Sequence, residues 1–259
     1  MQEHDVLTQQ RLRLIESRLN SEGRVLAAHL AQEFDVSVDT IRRDLRELAA
    51  QGRCERVYGG ALAPAPRTGT HQERLTQQPQ RKALLAAAAA KLVEPQSVVF
   101  IDAGTTNVAI AAALPADLPL TLVTNAPAIA AFALDRPAWK LIQIGGVVDI
   151  ALGAALGAAA LRDLAVISPD IAFIGVCGFA PDAGATAHSL EEAEFKRQIA
   201  LRARSVAVAI TNDKLSTQAP YPAFEAAACH YAVFEATAPA PTVDAVGALG
   251  VRTILAEPA

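Results

Sequence analysis

The stretch "SVVFIDAGTTNVAI", residues 97 to 110, sets the architecture of the larger part of the chain. A short apolar run ends at Asp102, a turn of small residues follows, and apolar positions resume in "NVAIAAAL". A continuous apolar run of this length fits a strand buried on both faces, and a helix directly after it fits the connection of a parallel sheet. Ala103 and Gly104 permit a tight approach, while Thr105 and Thr106 bring hydroxyls and free backbone N–H groups to the helix start. A helix N-terminus holds a phosphate through those orphan donors and its dipole. An acid beside it repels phosphate but accepts hydrogen bonds from sugar hydroxyls, so the pairing suits a phosphorylated sugar. The same residues also fit a Thr N-cap in an ordinary strand-to-helix loop.

The pattern repeats outward from there. Helix-like "RKALLAAAAAKLV" precedes the opening strand; "LTLVTN", "PAIAAFAL" and "WKLIQIGG" continue the alternation. Further along come "DIAFIGV", "SVAVAIT" and "YAVFEA", separated by helical stretches such as "SLEEAEFKRQIALRA". Short β-rich runs alternating with amphipathic helices predict a Rossmann-like α/β domain with a mainly parallel sheet over residues 81–259. No G-x-x-x-x-G-K-[ST] or G-x-G-x-x-G is present, so ATP and NAD are set aside and no cofactor is expected.

Residues 1–62 have a different grammar. "TQQRLRLIESRLN" places Leu12, Ile15 and Leu19 on one helical face, and "RVLAAHLAQEF" does the same with Val25, Leu26, Leu30 and Phe34. "DVSVDTIRRDLRELAAQG" starts at Ser37, a natural N-cap, buries Ile41, Leu45 and Leu48, and stops at Gly52. "RCERVYGGALA" then reads as a strand, a Gly-Gly turn and a return. Together these predict a winged helix-turn-helix. Its third helix leaves Ser37, Asp39, Thr40, Arg42 and Arg43 on the exposed arc, with Arg53, Arg56 and Tyr58 on the wing. Such residues can meet phosphates and base edges of double-stranded DNA. An Arg pair on the wet face of any amphipathic helix is the plainer alternative, and Asp39, Asp44 and Glu47 offset its charge. Residues 63–80, rich in Pro, Thr and Gln, read as a linker with a helical entry at its end.

Composition bounds the function. Of 259 residues, 52% are hydrophobic and 19% charged, which describes a globular protein with a large core. The formal net charge of −4 advertises no global basic field, and residues 1–60, with 9 Lys/Arg against 10 Asp/Glu, are close to neutral. Cys54, Cys177 and Cys229 are isolated from one another and from any His cluster, which indicates reduced thiols and no metal site. The N-terminus has no signal-peptide h-region, and the longest apolar run, "ALGAALGAAAL", is 11 residues, too short for a bilayer. A cytoplasmic protein without a membrane partner is expected.

The run "GRVLAAHLAQEFDVSVDTIRRDLRELAAQGRCERVYGGA", residues 23 to 61, resembles the DNA-binding signature of the DeoR/GlpR family of bacterial transcriptional regulators. Residues from about 81 to 235 are similar to that family's sugar-phosphate sensor domain, which shares its fold with ribose-5-phosphate isomerase. The matching positions are Asp102-Ala103-Gly104-Thr105-Thr106, "VTN" ending at Asn125, Gly145-Gly146, "DIAFIGVCGF", Glu192 and Lys196 in "EAEFK", and Lys214. The resemblance implies operator DNA and a phosphorylated sugar or polyol as partners, in a homo-oligomer, dimer or tetramer. It implies effector contacts from Asp102, Gly104, Thr105, Thr106, Asn125, Gly145, Gly146, Glu192, Lys196 and Lys214. Three positions depart from the family pattern: Ala103 replaces a Ser, Thr211 an Asp, and Tyr58 a frequent His.

Some readings stay open at this level. Glu192 and Lys196, one turn apart, equally describe a solvated ion pair. Cys177 reads as a small core filler, and His188 as a solvated loop histidine, with contact to a ligand as the alternative. A sugar-phosphate isomerase is the alternative function, with Glu192, Lys214 and Asp102 as its acid–base set. Thr211, where the family pattern has an acid, makes that set less complete, and an isomerase has no use for a winged helix.

Overall fold

The structure, a computed structural model, describes residues 2–66 and 69–257. Arg67 and Thr68 of the expected linker, with Met1, Pro258 and Ala259, lie outside the described residues.

The N-terminal unit comprises α1 (Gln2–Glu22), β1 (Arg24–Leu26), α2 (Ala27–Glu33), α3 (Val38–Ala50), β2 (Glu55–Val57) and β3 (Gly60–Pro64). Leu12, Ile15 and Leu19 of α1, Leu30 of α2, and Ile41, Leu45 and Leu48 of α3 bury together. At about 1.5–3 kcal/mol for each fully buried side chain, this one cluster supplies most of the drive for a small unit. The Ser37 hydroxyl caps α3 by accepting from the Thr40 N–H at 3.1 Å. Val25 and Leu26, expected on a helix, instead form β1, which pairs antiparallel with β3. An apolar residue next to a helix looks helical in the sequence, yet here the strand is needed to close the wing sheet. Gly60 is required at that seam, because a Cβ there would lie 1.9 Å from the Val25 carbonyl oxygen. β2 and β3 form the wing, and Tyr58 stands fully exposed at its tip.

The residues read as a linker contain α4 (His71–Thr76), closed by a capping box in which Thr70 and Glu73 satisfy each other's backbone N–H. Behind it come α5 (Pro79–Ala90), β4 (Val98–Ile101), α6 (Thr105–Ala113), β5 (Leu120–Thr124), α7 (Pro127–Ala133) and β6 (Trp139–Gln143). β7 (Val147–Asp149), β8 (Ala154–Leu156), α8 (Gly157–Leu164), β9 (Ile171–Phe173), β10 (Gly178–Ala180) and β11 (Gly184–Ala187) continue the chain. It ends through α9 (Leu190–Arg202), β12 (Ser205–Ile210), β13 (Thr217–Gln218), β14 (Tyr221–Phe224), β15 (Tyr231–Glu235), α10 (Ala240–Gly247) and β16 (Arg252–Ala256).

Seven strands form one parallel sheet in the order β16-β15-β12-β9-β4-β5-β6. The chain winds one way from β4 to β6 and the other way from β9 to β16. The order therefore reverses between β4 and β9, and in an open α/β sheet the crevice beyond the strand ends at such a point is where ligands bind. Phe100, Ile101, Val123, Phe173, Val208 and Phe234 are buried in the sheet core, as strands covered on both faces must be. The smaller antiparallel pieces, β10-β11-β14 and the β7–β8 hairpin, stand apart from this sheet.

The two units share a seam. β13 pairs in parallel with β3, Thr217 opposite Ala63 and Gln218 opposite Pro64, and the Ala65 N–H donates to the Gln218 carbonyl at 2.8 Å. A wing strand is thus hydrogen-bonded to a strand that begins three residues after Lys214.

Candidate functional site

On α3, Asp39, Arg42, Arg43 and Arg46 are exposed, and their spacing of three, four and seven places them on one stripe. Arg46 was not among the residues expected, although its spacing from Arg42 and Arg43 signals it. Asp39 lies 3.9 Å from Arg43 in a well-solvated pair, worth little and easily given up. Asp44, counted in the sequence as an offset to this charge, is buried and gripped by Arg11 of α1 through two hydrogen bonds. The Asp44 hydrogen bond, opposed by burial and aided by direct charge attraction, raises the Arg11 pKa above its ordinary value. The stripe is consequently more basic than the sequence suggests. Arg53 precedes the wing and is committed to Glu16 of α1, so it does not project from the wing as expected. Arg56 and Tyr58 are exposed on the hairpin.

The second site lies at the switch point. A cavity of about 600 Å³ is walled by residues 102–107 from the β4–α6 turn, Gly175 to Cys177 after β9, and Glu192, Phe195 and Lys196 of α9. Lys214 after β12, His188 before α9, and Pro66, Gly69 and Arg74 from the interdomain segment complete it. Gly104 occupies the N-cap of α6 with φ +134°, a conformation side chains rarely adopt, and no side chain caps the helix. The first N–H groups of α6 are therefore open to an anion.

Asp102, Glu192 and Lys196 form a buried cluster. The Lys196 ammonium donates to Asp102 at 2.5 Å and meets Glu192 at 3.3 Å. Burial works against that ammonium, but Asp102 and then Glu192 more than offset it, and its pKa is raised. The solvated ion pair is thereby replaced by a desolvated one. Asp102 also accepts the Gly175 N–H at 3.1 Å, and Glu192 the His188 N–H at 3.3 Å. Both carboxylates are held as ion-paired acceptors, which suits hydroxyl recognition better than proton abstraction. Cys177 is only partly buried, with its sulfur 3.6 Å from Glu192; burial and then that acid push the thiol up to about 11, so it is no nucleophile at neutral pH.

Lys214 supplies the opposite character. Its ammonium donates to the Val176 carbonyl at 2.7 Å, which uses one of three donors, and no carboxylate lies within salt-bridge distance among the described residues. Burial, aided by Lys196 and Arg74, outweighs the opposing influence of Cys177 and Asp213 and leaves its pKa below the ordinary lysine value. His188 is not a solvated loop residue: its Nε2 sits 3.3 Å from the Pro66 carbonyl.

Three expected contacts fall elsewhere. Asn125 is buried behind the cradle, accepting the Ala103 N–H at 3.2 Å and donating to the Ala155 carbonyl at 3.4 Å; it shapes the turn without lining the cavity. Gly145 and Gly146 are exposed after β6, with the Gly145 N–H donating to Asp163, and neither lines the cavity. β5 and β6 lie on the far side of β4 from the switch point, which is why their ends miss it. Arg74 and Phe195 were not anticipated; the Thr70-x-x-Glu73 spacing was the available sign of the helix that carries Arg74.

Residues 77–235 match the family described as the DeoR C terminal sensor domain, and residues 11–67 match the DeoR-like helix-turn-helix domain. The chain belongs to the DeoR family. Among its DeoR-family relatives, the glycerol-3-phosphate regulon repressor of Escherichia coli (strain K12) is 31% identical over 203 residues, spanning 78% of this chain and 80% of that protein. The HTH-type transcriptional regulator IolR of Bacillus subtilis (strain 168) is 30% identical over 228 residues, spanning 85% and 88%. These relatives are named as regulators, and this DeoR-family chain is a transcriptional regulator rather than an enzyme. Among solved structures, ribose 5-phosphate isomerase A from Methanocaldococcus jannaschii aligns at 16% identity over 54% of this chain and 55% of that one, with a TM-score of 0.40. Among the described residues no helix is long and apolar enough to cross a membrane.

Proposed function

We propose that the chain acts in the cytoplasm as a homo-oligomer that binds double-stranded operator DNA through the N-cap Ser37 and Thr40, Arg42, Arg43 and Arg46 of α3, with Arg56 and Tyr58 of the wing. A phosphorylated sugar or polyol in the switch-point cavity controls that binding. The observation that carries this reading is the division of the cavity into two chemistries. Lys214 and the uncapped start of α6 offer a cation and free N–H groups for a phosphate. The Asp102–Lys196–Glu192 cluster offers acceptors and a donor for hydroxyls. A ligand with both groups at once satisfies both ends, and a relative's name, the glycerol-3-phosphate regulon repressor, concerns a compound of that kind.

Control follows from the seam. A phosphate drawn to Lys214 pulls on residues 214–218, and β13 there is bonded to the wing strand β3. A ligand that binds the two domain arrangements unequally by about 1–3 kcal/mol changes operator affinity by roughly 5- to 150-fold. The test is a thermal-shift screen against phosphorylated sugars and polyols, followed by a gel-shift assay with each stabiliser. A compound that stabilises the protein and alters DNA binding supports the reading. Stabilisers without effect on DNA contradict it, and turnover of a stabiliser restores the isomerase.

A further inference from the structure

Helix α4 belongs to neither matched domain: residues 68–76 fall between the helix-turn-helix match and the sensor match. It is nonetheless seated on the sensor domain. The His71 N–H donates to the Ala151 carbonyl at 2.9 Å, the His71 ring packs against Gly153, and the Lys82 ammonium donates to the Arg74 carbonyl. On the other side of the same strap, Pro66 is held by His188.

Arg74 stands out on this helix. It lines the cavity together with Lys214. Its guanidinium donates to two backbone carbonyls, Gly69 at 2.9 Å and Ala151 at 3.4 Å, and finds no carboxylate among the described residues. Five N–H donors with two engaged leave a fork still to be filled. Burial lowers the pKa values of Lys82 and Lys214, and nearby cations add to that, Lys214 and Arg74 for Lys82, Lys196 and Arg74 for Lys214, against a partial offset from Asp213. The net positive charge left beside the cavity works against folding. That cost is recovered when a dianion arrives.

We propose that Arg74 is the second cation of the effector site, taking the phosphate group jointly with Lys214 and so clamping the interdomain helix onto the sensor domain when ligand is bound. The inference rests on the phosphate-binding reading of the cavity. It adds that a residue outside the sensor domain contacts the ligand. A guanidinium fork selects a tetrahedral oxyanion by paired hydrogen bonds, which a lysine at the same place cannot reproduce.

The test uses the full chain and inorganic phosphate as probe, with binding measured by calorimetry at constant ionic strength. The parent binds; Arg74→Gln weakens binding about 10- to 100-fold, and Arg74→Lys recovers part of the loss. Lys214→Gln, as the reference for the cavity itself, also weakens binding. Parent and Arg74→Gln binding phosphate equally, while Lys214→Gln loses it, overturns the role of Arg74 and leaves the cavity reading standing. A parent that does not bind phosphate overturns both. In the parent, phosphate also shields Arg74 from an arginine-specific dicarbonyl reagent, read by peptide mass spectrometry. That readout does not depend on a variant folding, and Arg74 modified at the same rate with and without phosphate overturns the inference.

Discussion

Lys214 is a cation that contributes little to the stability of the fold. It is bonded to one carbonyl, has no carboxylate within salt-bridge distance among the described residues, and is pushed by burial toward losing its proton. Replacing such a group with an apolar residue of similar reach relieves desolvation. Lys214→Met therefore raises the stability of the ligand-free protein by about 0.5–2 kcal/mol while abolishing phosphate binding. Denaturant titration with and without phosphate checks both halves of that statement. Lys196 behaves oppositely. Removing it in Lys196→Met strands two buried carboxylates, Asp102 and Glu192, and costs about 3–5 kcal/mol in the same titration. The two lysines are alike in sequence, both following short β-rich or helical runs. Only their partners, Asp102 at 94 residues' distance and the Val176 carbonyl at 38, separate a cation held by carboxylates from one that is not.

At the scale of elements, α4 is the part whose stability is most open to adjustment. It has six residues, too few to persist alone, and depends on its capping box and its seat. Thr70→Ala removes the cap and costs about 1 kcal/mol, observed as faster hydrogen exchange over residues 71–76 and weaker phosphate affinity. His71 adds a pH dependence. Burial, then the charge of Arg74, lowers its pKa from 6.5, so the folded chain resists a proton that the unfolded chain accepts. Stability is complete above pH 6.5 and declines as pH falls through the window below it. His71→Phe removes that component, and a difference between parent and variant that stays constant from pH 8 to pH 5 contradicts the assignment.

Periodicity locates α3 and the strands β4, β5, β12 and β15 because each is a clean apolar pattern with a sharp end. It misses β1, since Val25 and Leu26 adjoin a helix and share its apolar face. It takes α4 for part of a linker because a short helix held by caps carries almost no apolar signal. The cradle is legible in Asp102 to Thr106, where contacts are local. Asn125, Gly145 and Gly146 enter the expected site only through the family resemblance and their positions at strand ends. Which side of β4 those strands take is a property of the sheet order, and no local pattern encodes it.

The whole molecule couples its two ends through backbone. One pair of strands, β3 and β13, joins the wing to the segment that follows Lys214, and Arg24 reaches Asp182 across the same boundary at 3.1 Å. Substitution of Ala65 by proline removes the N–H that donates to Gln218, at a cost of about 1–3 kcal/mol to the seam. Ligand affinity and DNA affinity both survive, but each loses sensitivity to the other, as reciprocal coupling requires. On the DNA side, Arg42→Ala with Arg43→Ala weakens binding and lowers its dependence on salt by about one unit of slope for each DNA phosphate left without its arginine. The net charge of −4 keeps non-specific attraction small, so these few arginines carry the electrostatic share.

On the proposed reading, occupancy of the cavity beside Lys214 changes DNA binding by α3. The most direct measurement takes a duplex selected for binding by the full chain and follows its affinity by fluorescence anisotropy. Phosphorylated sugars and polyols are titrated against the parent and against Lys214→Gln. The expected result is a compound that shifts duplex affinity of the parent by roughly 5- to 150-fold and leaves Lys214→Gln unmoved. A Lys214→Gln protein that responds as the parent does, or cavity ligands that never alter duplex affinity, would contradict it.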